Sequence, residues 1–194
     1  MKFITSFLML VTIFICAHET QSEITVRLNT RSNLKAIYVS HISSDSSLER
    51  SYLDSLESVL AFDMSHNGKT HLSERSPDKE KAFESSSLDS SEASIFNSPY
   101  ALSLKVKEKK LSCKLYNFVT HHANSFSAVS LTGSLAHDRR IIHKLADSVF
   151  ESLFHEPGIA SSRILYSYHP HSTSKHSTWN AEIMECDWDG ANPR

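Results

Sequence analysis

The chain has 194 residues, suited to one domain or to one domain with an appendage, and 40% hydrophobic with 22% charged content is ordinary for a globular protein. The net charge of −2 leaves no basic footprint for nucleic acid. With four glycines and no G-x-G-x-x-G or G-x-x-x-x-G-K run, phosphate-cradling loops are excluded.

Residues 1–22 read as a targeting segment. Lys2 begins it, and Phe3 to Ala17 is nearly all apolar, the length of a signal-peptide core and short for a membrane span. Thr20 and Ser22 suit cleavage after Ser22; cleavage after Ala17 is the rival. Either removes Cys16 or frees it from the fold, leaving Cys113 and Cys186, read as buried free thiols rather than a disulfide.

Glu23-Ile24-Thr25-Val26-Arg27-Leu28 alternates polar and apolar side chains, as a short strand or extended arm does. Ala36 to Ile42 is a strand. Asp45-Ser46-Ser47 offers caps to a helix whose apolar stripe is Leu48, Tyr52, Leu56, Val59 and Leu60, ended by Asn67-Gly68. Nine of the 26 residues from 73 to 98 are serine, beside the charge run Asp78-Lys79-Glu80-Lys81. This is a solvated loop, with room for a short helix near Leu88 to Phe96. Tyr100, Leu102, Leu104 and Val106 then alternate with Ala101, Ser103, Lys105 and Lys107. Glu108-Lys109-Lys110 turns the chain, Leu111 to Thr120 returns, and Phe126 to Thr132 is a third strand.

A long helix follows. Ile141, Ile142, Leu145, Ala146, Val149, Phe150, Leu153 and Phe154 recur at helical spacing. Asp138 caps or precharges its start, and Pro157-Gly158 stops it. Two helices laid on one face of the sheet bury both stripes, so the fold class is α/β (α+β), a two-layer sandwich on a mixed sheet. Strands at Arg163–Tyr168 and Trp179–Cys186 come next, then Asp187-Trp188-Asp189-Gly190-Ala191-Asn192.

No constellation carries catalysis, a cofactor or a metal. His121-His122 and His169, His171 and His176 fall in polar loops, without the converging ligands a metal requires. His143 in the long helix reads as a partly buried, hydrogen-bonded histidine. No G-x-S-x-G elbow is present. Asp187 and Asp189 lack the ligand series of a calcium loop and read as a turn held by Asp and Asn side chains.

The run "IIHKLADSVFESL", the junction "PGIASSRILYSY" and the turn "CDWDGAN" resemble the TolB family of the Tol-Pal envelope system; "VLAFDMSHNGKTHLSER" extends the likeness upstream. The resemblance implies a signal peptide (1–22), an N-terminal α/β domain (23–158) and the truncated first blade of an absent β-propeller (159–194). It implies a non-enzymatic periplasmic adaptor, not an integral membrane protein. Its segment Glu23, Ile24, Thr25, Val26, Arg27 and Leu28 would dock an inner-membrane TolA-like protein by strand addition; an ordinary edge strand accounts for the same pattern. A Pal-like lipoprotein would be bound only by a full-length form. The alternatives are a secreted histidine-rich metal-dependent hydrolase, or a non-functional fragment of an interrupted gene. Ile164, Tyr166, Trp179, Ile183 and Trp188 are expected to lack their usual cover, so that 159–194 is mobile or drives aggregation while 23–158 folds alone.

Overall fold

A computed structural model describes residues 33–84, 93–169 and 181–194. The signal segment, the arm from Glu23 to Leu28, residues 85–92 of the serine-rich tract, His171, His176 and Trp179 lie outside the described residues.

Five strands form one mixed sheet: β1 (Lys35–Ser44), β2 (Thr70–Leu72), β3 (Tyr100–Lys107), β4 (Lys110–Asn117) and β5 (His122–Ser130), in the order β2-β1-β3-β4-β5. β1 runs parallel to both neighbours, and β3 to β5 form an antiparallel meander. Helices α1 (Arg50–His66) and α4 (Leu135–Phe154) lie together on one face. Ile37 and Val39, then Leu102, Leu104 and Val106, then Leu111, Cys113 and Leu115 point at them from alternate strand positions. Leu53, Leu56, Val59 and Leu60 answer from α1, and Ile142, Leu145, Ala146 and Val149 from α4, each at three- and four-residue spacing. The expected mixed α/β fold, with two helices on one face of a mixed sheet, is the one observed, and the short helices Pro77–Glu84 and Ala93–Phe96 add cover on the other face. No helix among the described residues is long and apolar enough to cross a membrane.

Three local readings need correction. Asp45 does not cap α1: its Oδ1 accepts from Ser47 N (3.0 Å) and its Oδ2 from Glu108 N (2.8 Å), so it fastens the β3–β4 turn. Glu49 occupies the N-cap with no side-chain hydrogen bond. The charge run is not loop but helix α2 (Pro77–Glu84), and the short helix that follows is α3 (Ala93–Phe96). Ala82 and Phe83 of α2 and Phe96 of α3 cover Tyr38, Ala101 and Tyr116, a second apolar cluster on the face opposite α1 and α4. The third meander strand starts at His122, four residues before the expected Phe126.

The chain leaves α4 through His155, in the left-handed conformation at φ 56°, whose N–H bonds Glu151 O. The following loop is stitched back onto the helix. Asp147 accepts from Ala160 N (2.7 Å) and Ser161 N (2.9 Å), and Ala160 is buried in the main core. A Cβ on Gly158 would lie 2.2 Å from Asp147 Oδ1 and 2.7 Å from Asp147 Cα, the second of which no rotamer change relieves. Gly158→Ala is therefore expected to cost about 1–3 kcal/mol by overpacking. A urea titration checks it; an unchanged midpoint would mean that the loop moves aside freely.

Beyond that junction β6 (Arg163–Tyr168) and β7 (Glu182–Asp187) pair antiparallel as a separate two-stranded ribbon. Ile164, Leu165, Tyr166, Tyr168 and Ile183 are exposed. Trp188 behaves differently from the expectation for it. It packs against the main core, and its ring meets Phe62 edge-on at 5.2 Å between centroids. The end of β7 and its turn are thus anchored on the helices, because the segment carries polar groups that match a buried charge on α1.

Candidate functional site

That anchorage is the densest polar site buried among the described residues. Asp63 sits on the buried face of α1, between Leu60 and Met64 in the helical stripe, at 1% exposure. A lone carboxylate there would be costly. His143 of α4 donates to it from Nδ1 (Nδ1–Oδ2 2.8 Å), and Trp188 donates from Nε1 to Oδ1 (2.8 Å). One turn before His143 on α4, Arg139 pairs with Asp189. Asp189 Oδ2 also stands 3.6 Å from His143 Nε2, a buried ring nitrogen with no hydrogen-bond partner. Two carboxylates, an imidazole and a guanidinium so meet in one buried cluster, with Asp187 close by.

Electrostatics favours the protonated imidazole. Burial works against the charged imidazole, but the hydrogen bond and charge of Asp63, with Asp189 behind, outweigh it and hold the His143 pKa above the ordinary histidine value. Burial pushes Asp63 upward, opposed by its bonds from His143 and Trp188.

The turn itself is internally built. Asp187 N bonds Ala191 O (2.8 Å), Asp189 Oδ1 accepts from Ala191 N (3.1 Å), and Asn192 Nδ2 donates to Asp187 Oδ2 (2.6 Å). Gly190 at φ 82° and Asn192 at φ 53° take the left-handed conformations such a turn requires. This is the side-chain-held turn expected from the spacing.

Could the site do chemistry? His143, Asp187 and Asp189 bring ligand atoms within 4.8 Å of one another. Yet Arg139 occupies Asp189, and Asn192 occupies Asp187. A dication would have to displace a guanidinium, so the donor set does not suit a metal. Among the described residues no serine or cysteine bonds His143 Nε2. The arrangement orients instead: it sets how the ribbon leaves the α/β layer.

Other candidates are dispersed. His121 and His122 are exposed, as is His169. Cys113 and Cys186 are buried free thiols, far apart in the two sheets, and burial pushes the Cys113 thiol up to about 12. Glu57, also buried, accepts from Ile42 N (2.6 Å) and pairs with His41, Arg50 and Arg75, binding α1 to β1. Sequence reading missed Asp63 and Arg139 because nothing local marks them; only Asp63's place in an apolar stripe was a signal.

No family model matches the chain. It is 33% identical over 187 residues to the Protein TolB homolog of Protochlamydia amoebophila (strain UWE25), covering 92% of this chain and 39% of that relative. It is 34% identical over 77 residues to the Protein TolB homolog of Chlamydia felis (strain Fe/C-56), covering 39% of this chain and 17% of the relative. The crystal structure of TolB from Acinetobacter baumannii superposes with a TM-score of 0.62 at 16% identity, over 83% of this chain and 38% of that one. The chain thus spans less than two-fifths of the length of the relatives it matches. By sequence and by fold, over that span, it belongs to the TolB family.

Proposed function

We propose that the chain is the interaction module of a periplasmic adaptor in the Tol-Pal envelope system, without catalytic activity. The observation that carries this reading is the 33% identity to a TolB homolog across 92% of the chain. The buried cluster at His143, whose groups are engaged with one another and fasten the turn to the helices, supports it. In this reading residues 1–22 direct export and cleavage leaves Glu23 at the start. Glu23 to Leu28 then docks an inner-membrane TolA-like protein as an added strand, with Ile24, Val26 and Leu28 on one face.

Deleting residues 23–28, or substituting Val26→Asp, is expected to weaken TolA-type binding at least tenfold with an unchanged circular dichroism spectrum. Isothermal titration calorimetry measures it. Equal binding by the deletion variant would remove this segment as the site, and unfolding would make it an ordinary edge strand of the domain.

A further inference from the structure

On the sheet face turned away from α1 and α4, the charged strand positions are all of one sign. Lys105, Lys107, Lys110 and Lys114 are all exposed. The strand register puts them on one face: Lys107 lies directly opposite Lys110, Lys105 opposite Ser112, and Lys114 opposite Ser103. Leu104, Val106, Leu111 and Cys113, which alternate with them, are the residues buried under the helices. On β5, Ser130 and Ser125 pair with Lys110 and Lys114. No strand position on this face holds a carboxylate, and among the described residues none of the four lysines makes an ion pair. Glu80 of α2, at the rim, is already bound to Tyr38 and to His41 N. Lys114 lies over the Tyr116 ring at 4.8 Å.

This is an arrangement that costs stability. Like charges directly opposite on neighbouring strands repel, and here the protein places a pair at the end of its longest antiparallel ladder. With a net charge of −2, the four cations mark a strongly asymmetric surface rather than a basic protein. Lys105 and Lys114, with Ser103, Ser112 and Ser125, line a broad concavity of about 920 Å³, whose rim includes Arg50 and the already bonded Glu80. The four strand cations are lysine, compact point charges that need no fixed bidentate geometry, which suits a fluid array of phosphate headgroups.

We infer that this face is a peripheral docking surface for a membrane displaying anionic phospholipid headgroups. Clusters of four or more cations on one surface have the strength for this, at roughly five-fold in partition per lysine. The attraction is reversible and is screened by salt within a Debye length of about 10 Å.

The test is sedimentation of the full chain with vesicles of phosphatidylglycerol mixed into phosphatidylcholine, against vesicles of phosphatidylcholine alone. Binding is expected to the mixed vesicles at low salt, and to disappear at high salt. Lys107→Gln with Lys110→Gln should reduce it about 25-fold, at roughly five-fold each. Lys35→Gln with Lys144→Gln makes the same charge change elsewhere and should leave most of it intact. Lys107→Glu separates function from folding: it gives Lys110 an opposite partner, so stability should hold or rise while vesicle binding falls. No binding to the mixed vesicles at low salt would overturn the proposal. So would equal loss in the Lys35/Lys144 pair, which would mean net charge alone governs. Binding to soluble poly-glutamate without binding to vesicles would make the partner an acidic protein and overturn it as well.

Discussion

Asp138→Ala is expected to destabilise the protein by about 3–5 kcal/mol, because one buried carboxylate holds a whole corner together. Asp138 is fully buried in the first turn of α4. Its Oδ2 accepts from Thr132 N (2.8 Å) and Gly133 N (3.0 Å), and Oδ1 from Thr132 Oγ1 (3.0 Å). The Tyr52 hydroxyl donates to it from α1. Removing the carboxylate leaves two backbone N–H groups and a phenol without partners, each carrying its own desolvation cost. Burial alone would raise the Asp138 pKa, but the donors outweigh it and hold the carboxyl below its usual range. A depressed folded-state pKa means stability that is present above the unfolded value of about 3.9 and lost as pH falls through the folded value. Urea titrations across the acid limb should show that loss in the native protein and not in Asp138→Asn, which keeps the shape without titrating. A cost below about 1 kcal/mol for the alanine variant would mean that Tyr52 and the 132–133 backbone find other partners.

His143→Ala is the second large effect, again about 3–5 kcal/mol, since it strands Asp63 in the core and removes the cation between Asp63 and Asp189. The loss should concentrate in the turn 187–192, which Asp63 holds through Trp188. In a Trp179→Phe background Trp188 is the sole tryptophan, and its emission reports docking directly. The pH dependence has a definite sign. The folded-state pKa of His143 is raised, so its contribution is complete below about pH 6.5 and is lost as pH rises through the folded value. The groups facing the ring are Asp63 from α1, Arg139 from α4, and Asp187 and Asp189 from the turn. Trp188 emission should shift to longer wavelength at alkaline pH in the native protein. His143→Gln should show a pH-independent, intermediate signal. Emission that ignores pH would place the proton elsewhere in the cluster.

The amphipathic stripes of α1 and α4 and the alternation through Tyr100 to Val106 and Leu111 to Leu115 were legible in the sequence. Each pattern repeats within a few residues, so local geometry alone assigns its buried face. The turn from Asp187 to Asn192 was legible for the same reason: its bonds run between residues two to five apart. What tertiary structure decided is the fate of the polar residues. Asp63 looks like any solvent-facing carboxylate in a helix, and its partners lie far along the chain, 80 residues away for His143 and 125 for Trp188; Asp138 marks the helix start, but its bond from Tyr52 spans 86 residues. The helix α2 was hidden too, because Pro77 to Glu84 is charged and short, and only Tyr38 and Ala101 on the sheet give Ala82 and Phe83 something to cover. Spacing in one dimension tells which side of an element is apolar. Which buried charge meets which counter-charge depends on packing elements from distant parts of the chain, and that information exists only once the layers are assembled.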